Sequence, residues 1–156
     1  MIRTAILAIS AAFFLLSGSA AAQDAEGPYW ASISAEEANM RVGPGEQFPI
    51  AWVYERRGLP VKVIRRLQGW RRVQEPDGTE GWIFSGLLSN RRTAMVTGEE
   101  PAAMRETGAE NAPLRWNLEA GVIGILGECR ANWCELDVAG HRGWVAQDRL
   151  WGVGEP

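Results

Sequence analysis

The chain is poor in the residues that catalysis and metal binding draw on. Histidine occurs once, at His141, and cysteine twice, at Cys129 and Cys134. One histidine without a second pair of ligands excludes the common zinc arrangements. Ser85 lies in Phe84-Ser85-Gly86, which is not a nucleophile elbow, and no histidine stands near it in the sequence. A phosphate-cradling loop is missing too, because Gly43-Pro44-Gly45 is followed by neither Lys-Ser/Thr nor a helical pattern. Asp77 and Glu80, beside Gly78, read as turn and surface residues. No catalytic residue, metal or cofactor is expected. No window carries the apolar stripe of an amphipathic helix.

Apolar runs are short as well. Residues 5–16 form one that is too short to span a bilayer comfortably. It follows Met1-Ile2-Arg3 and precedes a small-residue stretch ending in Ala20-Ala21-Ala22, the pattern of a secretory signal peptide cleaved before Gln23. Residues 1–22 are therefore expected to be a signal peptide and 23–28 a linker. The product would be periplasmic or secreted and would meet a membrane only during export.

What the chain does contain, it contains twice. Ala38, Met40, Arg41, Pro49, Trp52, Glu55, Gly58, Trp70, Gly81, Trp82 and Leu88 recur as Ala102, Met104, Arg105, Pro113, Trp116, Glu119, Gly121, Trp133, Gly143, Trp144 and Leu150. The offset falls from 64 to 62, as two one-residue deletions in the second copy would produce. This is a tandem of one small unit. Units of about 60 residues lie near the lower limit for independent folding, so a packed pair or a cross-link would help. Eight Trp supply large buried areas, while 18 Gly and eight Pro imply many turns.

The local signals are those of short strands. Leu59, Val61 and Val63 alternate with Pro60 and Lys62. Pro76-Asp77-Gly78 is a turn, since Pro fixes φ and Gly accepts the positive φ needed there. Gly81-Trp82-Ile83-Phe84 resumes a strand, and residues 85–88 fit a short helical turn. The second copy repeats the scheme around an Ala139-Gly140-His141 turn. The pattern predicts an all-β protein of small barrels or sandwiches.

In order and spacing, Ala38-Asn39-Met40-Arg41-Val42-Gly43-Pro44-Gly45, Gly69-Trp70-Arg71-Arg72-Val73, Asp77-Gly78 and Gly81-Trp82-Ile83 resemble the bacterial SH3-type domain. The resemblance covers residues 29–91 closely. It covers 93–152 more loosely, because the second opening, Met104-Arg105-Glu106-Thr107-Gly108, lacks the Gly-Pro. It implies two tandem SH3-like β-barrels of five to six strands each after the signal peptide, in a non-catalytic binding role. Such modules contact peptidoglycan or neighbouring envelope proteins.

Candidate binding residues follow from strand geometry. Trp70 and Val73 are three apart, so an extended strand points them to opposite faces. With Val73 inward, Trp70 faces out, unless the preceding loop or the other copy covers it. The same reasoning applies to Trp133 against Leu136, whereas Trp82 and Trp144 read as fold-supporting. Trp30 has Ala94 as its counterpart, so the shared fold does not require it, and it stands as a functional candidate. The proposed ligand surface comprises Trp30, Trp52, Tyr54, Trp70, Arg71 and Arg72.

Cys129 and Cys134 flank a predicted hairpin, and in an oxidising compartment they suit a structural disulfide. A redox-active pair is the rival reading, although the spacing is not C-x-x-C. Their counterparts in the first copy are Arg66 and Arg71.

Charge also divides the copies. Residues 29–92 carry ten Lys/Arg against seven Asp/Glu, net +3, and residues 93–156 carry five against ten, net −5. Nine of those ten cations are arginine, whose planar fork suits carboxylates and stacks on aromatic rings. The basic copy would face an anionic partner such as peptidoglycan stem-peptide carboxylates, or solvent, or the acidic copy. An overall pI near 5.3 argues against nucleic acid. Two readings stay open: a module contacting peptidoglycan or its peptides, and an interaction subunit of an envelope complex.

Overall fold

A computed structural model of the chain describes residues 27–156; the expected signal peptide, and most of the linker after it, lie outside the described residues. The first copy runs β1 (Tyr29–Ile33), β2 (Ala38–Arg41), β3 (Ile50–Tyr54), β4 (Pro60–Leu67), β5 (Trp70–Gln74) and β6 (Glu80–Phe84). A 3-10 turn, Ser85–Leu87, then leads into β7 (Leu88–Ser89). The second copy repeats this as β8 (Thr93–Val96), β9 (Ala102–Arg105), β10 (Leu114–Leu118), β11 (Ile123–Arg130), β12 (Trp133–Val138) and β13 (His141–Ala146). Its 3-10 turn is Gln147–Arg149 and its last strand β14 (Leu150–Trp151).

The two sheets have the same strand order, β3-β2-β6-β5-β4-β1-β7 and β10-β9-β13-β12-β11-β8-β14. The duplication in sequence is a duplication of topology, and both units are SH3-like. Each sheet has seven strands rather than five or six. The surplus comes from short closing strands: β7 pairs with β1 over two residues, and β14 pairs with β8 likewise.

Each copy builds its own core. Alternation sends Val61, Val63, Val73 and Ile83 inward with Met40 and Tyr54 in the first copy. Leu136, Val145, Met104 and Leu118 do the same in the second. Gly81 and Gly143 recur because a Cβ on either would lie about 2.4–2.5 Å from Cγ of Met40 or Met104, inside contact distance. Gly58 and Gly121 recur because the turn before β4 or β11 requires positive φ, 79° and 83°. Each turn's N–H then donates back, Gly58 to Ile33 O at 2.7 Å and Gly121 to Val96 O at 2.8 Å.

Pro60 departs from the simple alternation. It opens β4, where its missing N–H is tolerated, and it is buried. Its cover is the second copy: Trp151 Nε1 donates to Pro60 O at 3.2 Å. Trp151-Gly152-Val153 thus folds back over the first copy. Trp30 meets Trp151 edge to face, with ring centroids 4.9 Å apart, and donates from Nε1 to Gly154 O at 3.1 Å. Thr93 Oγ1 donates to Gly58 O at 2.7 Å, Arg92 to Gly152 O and Arg56 to Gly121 O, each at 2.9 Å. The copies are docked by aromatic packing and by donors to backbone carbonyls. The ion pairs Arg72–Glu80, Arg115–Glu106 and Arg142–Asp137 each lie within one copy.

Candidate functional site

The six candidate residues divide sharply. Trp30 is only 8% exposed and is committed to the junction with the second copy, so it presents no face to a ligand. Its lack of a counterpart has a docking cause. Tyr54 is 4% exposed and belongs to the first core, where its hydroxyl donates to Met40 Sδ at 3.3 Å. Burial, reinforced by the neighbouring Glu75 carboxylate, pushes its phenol well above the ordinary tyrosine range. These two leave the proposed surface.

Trp70 does point away from Val73, but it is half-buried against Phe84, edge to face at 5.8 Å. Cross-strand register causes this, since Trp70 pairs with Phe84. Arg71 spends its guanidinium on Tyr29 Oη, Gln68 O and Trp70 O, and Arg72 pairs with Glu80 at 2.7 Å. Trp82 is buried, in keeping with a fold-supporting role. In the second copy Gly108 sits against Trp133 and Trp144, so the long loop after β9 covers them. Arg130 lies over the Trp144 ring at 4.6 Å.

Trp52 alone of the six is open, at 60% exposure. It sits mid-strand in β3, the edge strand of its sheet, opposite Met40 of β2. All residues of β3 before Tyr54 are exposed, and β10 has the same pattern before Leu118. Each copy therefore presents a two-sided, largely apolar edge: Ile50, Trp52 and Val53 in the first, Leu114 and Trp116 in the second. Trp116 is half-covered by His141, 5.0 Å away, while the equivalent of His141 in the first copy is Thr79. Ile50, Val53 and Leu114 escaped the sequence reading. A shared apolar pair that is not needed inside, Ile50/Leu114, was the available signal.

A second candidate lies between the copies. A cleft of about 350 Å³ opens where β1, the turn before β4, and the segment joining the copies face β11 and β12. Arg57, Arg91 and Asp137 are its charged lining residues. At its far wall Asp137 accepts from Gly140 N–H and from Arg142 Nε, each at 2.8 Å. These bonds hold its carboxyl below the usual range.

Cys129 and Cys134 form a disulfide, directly opposite one another in the β11–β12 register. The hairpin turns on Ala131 and Asn132, both at positive φ, as a two-residue loop of this type demands. Neither cysteine is free to act as a nucleophile or ligand. Among the described residues no cluster of three His, Cys, Asp or Glu could hold a metal ion, and no helix is long and apolar enough to cross a membrane.

The bacterial SH3 domain model matches residues 34–90 and again 98–152. No curated protein matches. Among solved structures, NlpC1 of Trichomonas vaginalis aligns at TM-score 0.38 with 12% identity, over 90% of this chain and 50% of that one. NlpC2 of the same organism aligns at TM-score 0.37 with 10% identity, over 80% and 48%. The CBD of endolysin LysPBC5 aligns at TM-score 0.31 with 12% identity, over 83% and 96%. The chain thus spans about half the length of the two Trichomonas proteins.

Proposed function

The chain belongs to the bacterial SH3 domain family through both of its copies, and on that footing we propose that it is a non-catalytic envelope protein that binds peptidoglycan. The contact surface is the β3 edge of the first copy, centred on Trp52, with the β10 edge and Trp116 as a second, weaker point. The exposure of Trp52 on a strand open on both sides carries this reading. A flat indole offers its apolar face to the apolar face of a sugar ring, and the unpaired backbone of an edge strand offers donors and acceptors to a peptide stem. Two such edges on docked copies make attachment to a polymer bivalent, so modest contacts add. The mature protein would act outside the cytoplasm, after removal of residues 1–22.

Sedimentation with purified sacculi tests the reading. Wild-type protein is expected in the pellet. Burying one aromatic face contributes roughly 1.5 kcal/mol, so Trp52→Ala is expected to weaken binding about tenfold. Trp116→Ala should cost less, and the double variant should remain soluble. Wild type left in the supernatant would sink the proposal. An edge strand also pairs with protein strands; capture of an envelope protein in a Trp52-dependent manner, with no sacculus binding, would replace the wall with a protein partner.

A further inference from the structure

The cleft between the copies is independent of the β3 edge, since neither Trp52 nor any β10 residue lines it. Its two arginines share an unusual condition. Among the described residues neither Arg57 nor Arg91 has an ion pair or a side-chain hydrogen bond, although most other arginines of the first copy do. Their backbones, by contrast, are pinned. The Arg91 amide N–H donates to Ser89 Oγ at 3.0 Å, and its carbonyl accepts from the buried Ser32 hydroxyl at 2.9 Å. Arg57 precedes Gly58, whose N–H donates to Ile33 O within the first copy and whose carbonyl accepts from Thr93 Oγ1 across the seam. Two exposed arginines without a side-chain partner thus line one cleft from well-anchored backbone.

The opposite wall does not neutralise them. Asp137 is the acidic group lining the cleft, and its charge is already paired with Arg142 while it also accepts from the Gly140 amide. The remaining lining that matters is aliphatic: Ile123, half-buried, and Ile125, 41% exposed. Such a cleft suits an anion attached to a small apolar body, where the arginine fork takes the anion and the isoleucines cover the body. Inorganic phosphate satisfies only the first half.

We infer that this cleft is a binding site for a carboxylate carried on a short aliphatic chain, such as the free C-terminus of a small peptide. A volume of about 350 Å³ is within the range of small-molecule sites. Each copy supplies one half, so the site exists only while the two are docked.

The test is an amide NMR titration of the folded mature chain with N-acetyl-alanyl-alanine, its C-terminal amide, and inorganic phosphate. The acid is expected to shift Gly58, Thr93 and Gly124, and the amide, equal in shape but uncharged, to leave them in place. Arg57→Gln and Arg91→Gln, both at exposed positions, should each weaken the acid about tenfold or more, as loss of a charge-assisted hydrogen bond does. Unchanged spectra elsewhere would show each variant still folded. Three results overturn the proposal: no shift with the acid, equal shifts with acid and amide, or affinity untouched by both substitutions. Phosphate binding as tightly as the acid would remove the aliphatic part and so overturn the stated ligand class. Because the sacculus assay reads Trp52, the two proposals fail separately.

Discussion

Trp52 and Tyr54 lie two positions apart on the same face of β3 and meet opposite fates. The strand runs off the edge of its core, so the Tyr54 side chain is buried and the Trp52 side chain is not. Period-two reasoning identifies the shared face but not where the core beneath it stops. Tyr54 also predicts a pH dependence. Its folded-state value is raised, so its contribution to stability is complete below the unfolded value, about 10, and is lost as pH rises beyond it. The urea midpoint of the wild type should therefore fall between about pH 9.5 and 11.5. Tyr54→Phe should fall less steeply over the same range. Parallel slopes would assign the alkaline loss elsewhere.

At the level of elements, the sequence was most readable where backbone geometry leaves no choice. Gly58, Gly81 and their repeats mark a positive-φ turn and a close approach, and those needs are local. The hairpin between Cys129 and Cys134 was legible for the same reason, because spacing and compartment together favour a bridge. The open β3 edge was not legible, since exposure of Ile50 depends on which strand ends the sheet. Arg71 and Arg72 looked available because a sequence cannot reveal that Tyr29 and Glu80 lie opposite them. The disulfide closes a small ring, so loop entropy gives about 2 kcal/mol of stabilisation. Cys129→Ala/Cys134→Ala should lower the unfolding free energy from urea titration by about 2 kcal/mol while leaving the strand content by circular dichroism in place. A loss several times larger would mean that the bridge holds the sheet rather than the hairpin.

For the whole molecule, the opposite charges of the copies left contact between them as one of three readings, beside an anionic partner and solvent, but the seam is built otherwise. Trp30 and Trp151 pack at right angles, and the arginines at the seam, Arg56 and Arg92, donate to carbonyls rather than to carboxylates. Trp30, found in one copy only, was therefore a marker of the seam, not of a ligand: docking two like units takes side chains that the shared fold does not supply. Salt at about 1 M, where the screening length is about 3 Å, should leave the radius of gyration unchanged. Trp30→Ala removes a buried indole and should cost about 3–5 kcal/mol, with a larger radius as the copies part. Separation by salt alone would restore the electrostatic account.

The fold-back of the C-terminal turn also has a consequence for timing. Trp30 and Gly154 are joined across 124 positions, and Trp151 reaches Pro60 across 91, whereas each sheet closes within its own copy. Distant closures form late and open early. The seam should be the last part of the molecule to assemble and the first to exchange its amide protons, with both sheets still intact on either side of it.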